Sequence, residues 1–429
     1  MGKKKKFFNK FKSLFSKKSS KTVYAKKEIH DSQCIREIIV ERNNGFNTLE
    51  VLVIVIITTL FGLIVGYTLS LSRGNTGTRV SDEVLEIVTT YENILENYYE
   101  DVDKTQLLDA AVSGMISVLD DPYSVFLDSE DTKSFDETVN GSFVGVGITV
   151  EWFENKFRVI EVLDGSPAQK AKVRNDDYIL QIDDTLVDGM TLADVSHLIK
   201  GKKGSKVSLV LLRGNDRVEV TMKRSVIEIP SVYSEELSEH IGYISIDSFA
   251  SNTAEQFEKQ LKKLEKKGIN SLIIDVRGNP GGRLSEVNDI LDLFLPKNKI
   301  LYKIETKGKV EEVLSEDNSM RKYSVIVLTD RGSASASEIL AACFQDNYDK
   351  AVVVGTVTYG KGTIQKAVKL SSGATVKYTM QKWLTPNDVW INEVGLMPDV
   401  LIEQGEEYNS NPSYSNDLQL IKAIEMLKK

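Results

Sequence analysis

The sequence predicts a multidomain α/β protein held to a membrane by one N-terminal transmembrane helix, and three observations predict it. Residues 51–72 form an uncharged apolar run, residues 141–223 read as short strands around one helix, and after Pro230 strand-like runs alternate with helical ones. At 429 residues the chain exceeds what one hydrophobic core usually serves, and 41% hydrophobic with 27% charged residues is ordinary globular composition.

The apolar run VLVIVIITTLFGLIVGYTLSLS lies between Glu50 and Arg73, and about 20 apolar residues suffice to span a bilayer. A buried core helix and a cleaved signal peptide are the competing readings, the second disfavoured because its apolar region is normally shorter. The lysine-rich stretch before the run keeps the N-terminus cytoplasmic by the positive-inside bias. The expected location is therefore the cell membrane, single-pass, with the body of the protein extracytoplasmic. Phe7, Phe8, Phe11, Leu14 and Phe15 recur among the lysines at a spacing that suits either a helix on an anionic membrane surface or a solvated tail.

Residues 1–48 carry 13 Lys and Arg against 4 Asp and Glu, a balance of +9, so the net charge of -8 leaves -17 for the remainder. A body so acidic lacks the clustered cations that phosphate contacts need, and no nucleic-acid partner is expected. Cys34 and Cys343 fall on opposite sides of the apolar run and cannot pair, so stability must come from packed cores.

Residues 81–120 show apolar positions at helical spacing (Val84, Ile87 and Tyr91, then Leu107, Leu108, Ala111, Met115 and Leu119) and end at the turn Asp121-Pro122-Tyr123. The runs GITVEW, FRVIEVL, YILQID and KVSLVLLR follow, with a helix at 192–199 among them, which describes a small, partly open barrel. Beyond Pro230, IGYISID, SLIIDV, YSVIVLTD and AVVVG alternate with helical segments, as in a layered domain with a largely parallel sheet.

Several chemistries are absent: there is no phosphate-binding G-x-x-x-x-G-K-[ST] loop, no H-E-x-x-H helix, no zinc-spaced cysteine and histidine set and no G-x-S-x-G elbow. Neither metal nor organic cofactor is implied. With only His197 and His240 beyond the apolar run, a Ser-His-Asp triad is disfavoured.

The run Asp330-Arg331-Gly332-Ser333-Ala334-Ser335-Ala336-Ser337-Glu338 crowds small residues into a strand-to-helix turn, where open α/β sheets place their ligands and helix N–H groups can hold an oxyanion. Ser335 with Glu338 three residues on is equally a capping box. A base other than histidine can be a lysine kept neutral by burial, and Lys361, between Gly360 and Gly362, is the best placed. It is also readable as a solvated turn lysine. If 363–368 is a strand, period-two alternation puts Gln365 near the Lys361 face. The turn Arg277-Gly278-Asn279-Pro280-Gly281-Gly282 can aim backbone N–H groups at a carbonyl, or merely connect.

RGNPGG, GSASASE and TYGKGTIQ, in this order, together resemble the C-terminal processing peptidases, or tail-specific proteases, and the resemblance extends to DDPYSVFL and GLMPDV. It implies a crotonase-like, ClpP-like layered peptidase core with an inserted PDZ domain. It also implies Ser335 as nucleophile, Lys361 as base, Gln365 as the residue that orients the base, and oxyanion donors at Ala336 and at Gly281 or Gly282. Gly145-Val146-Gly147-Ile148 stands where PDZ domains bind a terminal carboxylate while the peptide adds as a strand.

The expected organisation is a basic cytoplasmic segment (1–48), a transmembrane helix (49–72), a helical region (73–135), the PDZ domain (136–225), the serine peptidase domain (226–403) and a C-terminal extension (404–429). The implied activity is a serine endopeptidase that recognises free apolar C-termini of extracytoplasmic proteins and cuts near them. A homo-oligomer is compatible with it. The alternatives are a membrane-tethered PDZ adaptor with an inactive peptidase fold, which would bind tails without cutting, and a crotonase-like enzyme acting on small acyl compounds.

Overall fold

The computed structural model describes residues 55–63, 65, 81–237, 240–318 and 321–428. The basic head and the ends of the apolar run lie outside them. Residues 55–63 are helical and exposed, and no helix among the described residues is long and apolar enough to cross a membrane. The chain divides into two compact units, residues 1–98 and 99–429. In the first, α1 (Asp82–Asn97) places acidic residues in its first turn and buries none of its side chains.

The second unit begins with α2 (Lys104–Ser117), whose first turn is capped by the Asp103 carboxylate on the N–H groups of Thr105 and Gln106. Strand β1 (Val125–Leu127) and helix α3 (Ser129–Asn140) follow, and Gly141 closes α3 in the left-handed conformation that glycine adopts without strain.

The strand-rich segment runs β2 (Ser142–Gly145), β3 (Ile148–Phe153), β4 (Lys156–Val162), β5 (Tyr178–Ile182), β6 (Thr185–Leu186), β7 (Lys206–Arg213), β8 (Asp216–Lys223) and β9 (Ser225–Glu228). Strands β3, β4, β5, β7 and β8 form one antiparallel sheet with β6 on β5, over a core that includes Val146, Phe157, Val159, Ile179, Leu209 and Leu211. Helix α5 (Leu192–Ile199) closes one side, its start fixed by a reciprocal capping box between Thr191 and Asp194; α4 (Pro167–Lys170) is one short turn. Strands β2 and β9 pair with each other, so the chain enters and leaves this unit along one two-stranded ribbon, as an inserted domain must.

The remaining strands are β10 (Val232–Glu236), β11 (Ile241–Ile246), β12 (Ser271–Asp275), β13 (Ile300–Thr306), β14 (Lys309–Leu314), β15 (Ser324–Thr329), β16 (Ala351–Gly355), β17 (Thr363–Lys369), β18 (Thr375–Leu384) and β19 (Val400–Leu401). One sheet has the order β10-β11-β12-β15-β16-β19 and is parallel except between β10 and β11, as the alternating pattern predicts. Its central strands are largely apolar, as suits strands with helices on both faces. On one side lie α6 (Thr253–Lys266), α7 (Leu284–Asp292) and α8 (Ala336–Asn347), with Phe257, Leu261, Val287, Ile290, Leu340 and Phe344 in one core. On the other, after the short α9 (Glu406–Ser410), α10 (Leu418–Leu427) packs Leu420 and Ala423 against Ile273, Ile326 and Val354. Parallel pairing brings the C-terminal ends of β12, β15 and β16 level, with Asp275 beside Leu328 and Thr329 beside Gly355.

A second sheet, β1-β18-β13-β14 with β17 also on β18, is antiparallel. It was not legible as a unit in the sequence, because β1 and β18 are about 250 residues apart and only tertiary pairing joins them. Its effect is to bring the Asp121-Pro122-Tyr123 turn, just ahead of β1, to the loops that leave the parallel sheet.

Arg277 anchors the C-terminal segment from the same sheet edge. It is bidentate to Asp275, reaches the Asp417 carboxylate at 2.8 Å, and meets the Gln419 amide oxygen at 3.0 Å. Burial alone would raise the Asp417 carboxyl, but hydrogen bonding and charge from Arg277 hold it below the ordinary range.

Candidate active site

Three loops leave the level ends of β12, β15 and β16 and meet. The loop after β15 carries Asp330, whose Oδ1 accepts the N–H groups of Gly278, Gly332 and Ser333, and it tightens into the turn that starts α8. The small residues of this turn are explained one at a time. A side chain on Gly332 would stand 2.8 Å from the Gly278 Cα. Ser333 is buried and donates its hydroxyl to the Val276 carbonyl at 2.8 Å, and Ser337 is buried and donates to the Asn279 carbonyl at 2.9 Å. The two outer serines therefore lash the turn to the glycine loop. Ser335 alone of the three is half-exposed.

Ser335 has φ 55° and ψ -112°, a backbone conformation that costs a non-glycine residue free energy and recurs at functional sites. Glycine is required opposite it. A Cβ on Gly281, which has φ 99°, would lie 2.8 Å from the Ser335 Cβ and 3.0 Å from the Ala336 nitrogen. Space is thus kept beside the serine and beside the first N–H of α8. Of the three predicted oxyanion donors, Ala336 and Gly282 have N–H groups without a protein acceptor among the described residues, whereas the Gly281 N–H donates to Asn279 Oδ1 at 2.8 Å.

Glu338 joins the loops. Its buried carboxylate accepts the Ser335 N–H at 2.7 Å and the Lys361 N–H at 2.9 Å on Oε2, and the Thr358 hydroxyl at 2.6 Å and the Gly360 N–H at 2.7 Å on Oε1. The capping contact that the sequence predicts is real, and the same oxygen also caps the Lys361 loop. Backbones 26 positions apart in sequence are thereby held within hydrogen-bonding reach of one atom. Burial pushes the Glu338 carboxyl up, against four hydrogen bonds that favour the ionised form.

Lys361 is half-buried. Burial depresses its amine, the cationic neighbour Lys377 depresses it further, and Glu338 and Asp121 work in the opposite sense. The Nζ lies 4.8 Å from the centre of the Tyr123 ring and donates no hydrogen bond among the described residues. The loop around it is fixed by the Trp383 indole on the Lys361 carbonyl at 2.7 Å and by the Trp390 indole on the Gly362 carbonyl at 3.0 Å.

Gln365 lies on β17, as expected, but the alternation argument does not carry through. Lys361 precedes the strand and a register shift falls between Ile364 and Gln365, so period-two counting cannot relate the two side chains. The Gln365 amide donates to Thr363 Oγ1 at 2.9 Å and Thr379 Oγ1 at 3.1 Å. Tyr123, Asp121, Thr379 and Lys377 were not singled out as site residues by the sequence. Only the DDPYS run carried a signal, without its destination.

A second site lies on the strand-rich unit. Gly147 has φ 80° and a Cβ there would lie 2.4 Å from the Ser166 Cβ, so the Gly145-Val146-Gly147-Ile148 loop turns where only glycine fits. The carbonyls of Val146 and Gly147 accept the N–H groups of Ala168 and Leu163, while their own N–H groups have no protein acceptor among the described residues. Beside this loop an apolar groove of about 710 Å³ runs between β3 and α5, lined by Ile148, Val150, Leu192, Val195 and Ile199, and reaches Tyr233 at the start of the parallel sheet.

No group of residues suited to holding a metal ion occurs among the described residues.

Comparison with known proteins finds three family matches along the chain. Residues 240–402 match the model of peptidase family S41, residues 68–131 that of the activating protease CtpB N-terminal domain, and residues 158–213 that of the PDZ domain. The carboxy-terminal processing protease CtpA of Bacillus subtilis (strain 168) is 40% identical over 73% of this chain and 67% of its own length. The carboxy-terminal processing protease CtpB of the same organism is 39% identical over 76% and 69%. Among solved structures, the photosystem II D1 C-terminal processing protease is 29% identical over 74% of this chain and 86% of its own, with a TM-score of 0.43.

Proposed function

This chain belongs to peptidase family S41 and is a serine peptidase with a PDZ domain, and from that premise we propose that it is a membrane-anchored endopeptidase in which a Ser335–Lys361 dyad cuts extracytoplasmic proteins near free apolar C-termini held by the PDZ groove. The observation that carries the dyad is the shared Glu338 oxygen, which ties the nucleophile loop to the base loop.

In this reading neutral Lys361 takes the Ser335 proton as the serine oxygen attacks the peptide carbonyl. The Ala336 N–H holds the oxyanion together with that of Gly282, since the Gly281 N–H is taken by Asn279, and one such donor is worth roughly 10²- to 10³-fold in rate. The Lys361 ammonium then gives its proton to the leaving amine, and the same base activates water to release the acyl group. Gln365, on the strand that follows, orients the amine as Lys361 moves toward the serine.

Tail recognition is supported by the apolar groove and by the free N–H groups of Val146 and Gly147, which suit a terminal carboxylate at the end of an added strand. Anchoring through residues 49–72, with the catalytic part outside the cytoplasm, rests on the uncharged run and the basic segment ahead of it.

The test pairs two variants. Ser335→Ala is expected to abolish cleavage of a peptide bearing an apolar C-terminal tail while still binding it. Ile148→Asp places a charge in the groove, where an unpaired one costs more than 2 kcal/mol, and is expected to raise KM for the tailed peptide about tenfold or more. Cleavage by Ser335→Ala would refute the nucleophile, and an unchanged KM in Ile148→Asp would refute the groove.

A further inference from the structure

The Asp121-Pro122-Tyr123 turn belongs to no loop of the parallel sheet, yet it sits on the base. Its position is fixed from three sides. Asp121 accepts the Tyr123 N–H at 3.0 Å and the Ser124 hydroxyl, Ser124 Oγ in turn accepts the Thr379 N–H at 3.0 Å, and β1 pairs Val125 with Lys377. The turn is thus built onto β18 beside Gln365, and it presents the Tyr123 ring to the Lys361 amine at 4.8 Å. That amine has no hydrogen bond to Ser335, to Gln365 or to any other described residue, so the ring face is its principal contact.

An aromatic face attracts an ammonium and offers nothing comparable to a neutral amine. The contact therefore favours the protonated lysine, which cannot accept a proton from serine. We propose that Tyr123 is a positioning residue for the base: its ring parks the charged Lys361 side chain in the resting enzyme, and the lysine reaches Ser335 only when that contact breaks. The inference rests on the dyad reading above.

The charged and titratable groups around Lys361 come from every element packed on it: Asp121 and Tyr123 from the turn, Glu338 from α8, Lys377 from β18, and Tyr359 from its own loop. Asp121 and Glu338 side with the ring in keeping the lysine charged, and Lys377 opposes them. Burial, with Tyr359 nearby, pushes the Tyr123 hydroxyl up to about 12, so it stays neutral in the working range and acts through its ring.

The test is the pH dependence of kcat/KM for peptide cleavage by the full-length protein. Tyr123→Phe keeps the ring and is expected to leave the midpoint of the acid limb in place. Tyr123→Leu removes it and is expected to move that midpoint to lower pH by about half a unit or more. Because the leucine variant can fail through misfolding, pentafluorophenylalanine at position 123 provides a shape-conserving substitute that weakens the face of the ring, and it should shift the limb the same way. An unmoved limb in the fluorinated protein, whether or not KM changes, overturns the proposal. Lys361→Ala in the same assay separates the two readings: residual full activity there sinks the dyad, whereas a dead Lys361→Ala with an unmoved limb at position 123 sinks only the role of Tyr123.

Discussion

Glu338→Ala is expected to lower peptide cleavage at least a thousandfold and to destabilise the protein by about 3 kcal/mol. One carboxylate accepts four hydrogen bonds at 2.6 to 2.9 Å, three of them from backbone N–H groups that lie on the two loops of the dyad. Its removal leaves those donors buried without acceptors, and the cost of each is about 1 to 3 kcal/mol before the site relaxes. The activity loss has a separate cause, because the Ser335 backbone is strained and, besides the Tyr359 N–H on the Ser333 carbonyl at 3.0 Å, Glu338 is what ties the Lys361 loop to the nucleophile turn. Glu338→Gln is a sharper probe. It preserves shape, but its NH2 group must face either the Gly360 N–H or the pair from Ser335 and Lys361, and an N–H cannot accept. Chemical denaturation and kcat measured well below the melting transition distinguish loss of fold from loss of alignment. Near-native activity in Glu338→Gln would show that the carboxylate does not hold the dyad.

Lys361 carries the second large effect. Lys361→Ala is expected to reduce kcat by about 10⁴-fold or more, in line with removal of the base from other acyl-transfer sites. Lys361→Arg should be as inactive although it keeps the charge, since a guanidinium does not lose its proton in this range. In the unaltered enzyme, activity should rise with pH to a midpoint below the ordinary lysine value of about 10.4, because burial and Lys377 depress the amine. The same shift has a consequence for stability, and its sign is opposite to that of a lysine gaining a partner. The folded state binds this proton less tightly than the unfolded chain does, so stability rises as pH climbs through the two values, and holding the lysine there costs stability at neutral pH. Lys361→Met should therefore melt at or above the temperature of the parent while being inactive. A variant that is both inactive and strongly destabilised would point to a structural lysine.

The parallel sheet was readable from sequence because its strands are largely apolar and its helices periodic: SLIIDV became β12, YSVIVLTD β15 and AVVVG β16, each within a residue or so of its expected ends. The strand-rich insert was readable from its turns, and the helix expected at 192–199 is found at Leu192–Ile199. Ser335 was ambiguous for a physical reason. A helix cap and a nucleophile call for the same small hydroxyl residue at the same turn, and only burial separates Ser335 from Ser333 and Ser337. Glu338 was read as a local cap because its other partners, Thr358, Gly360 and Lys361, are 20 to 23 positions away. Tyr123 was illegible for the same reason: its place over Lys361 depends on β1 pairing with β18. The alternation argument for Gln365 failed on a register shift that leaves no trace in residue types.

The dyad is tested most directly by covalent labelling of the full-length protein with a serine-reactive fluorophosphonate, followed by peptide mapping and by the pH dependence of the labelling rate. The account predicts a single adduct on Ser335, formed at a rate that rises with pH to a midpoint below 10.4 and that falls at least a hundredfold in Lys361→Ala. An adduct on another residue, or an undiminished rate on Ser335 in Lys361→Ala, would contradict it.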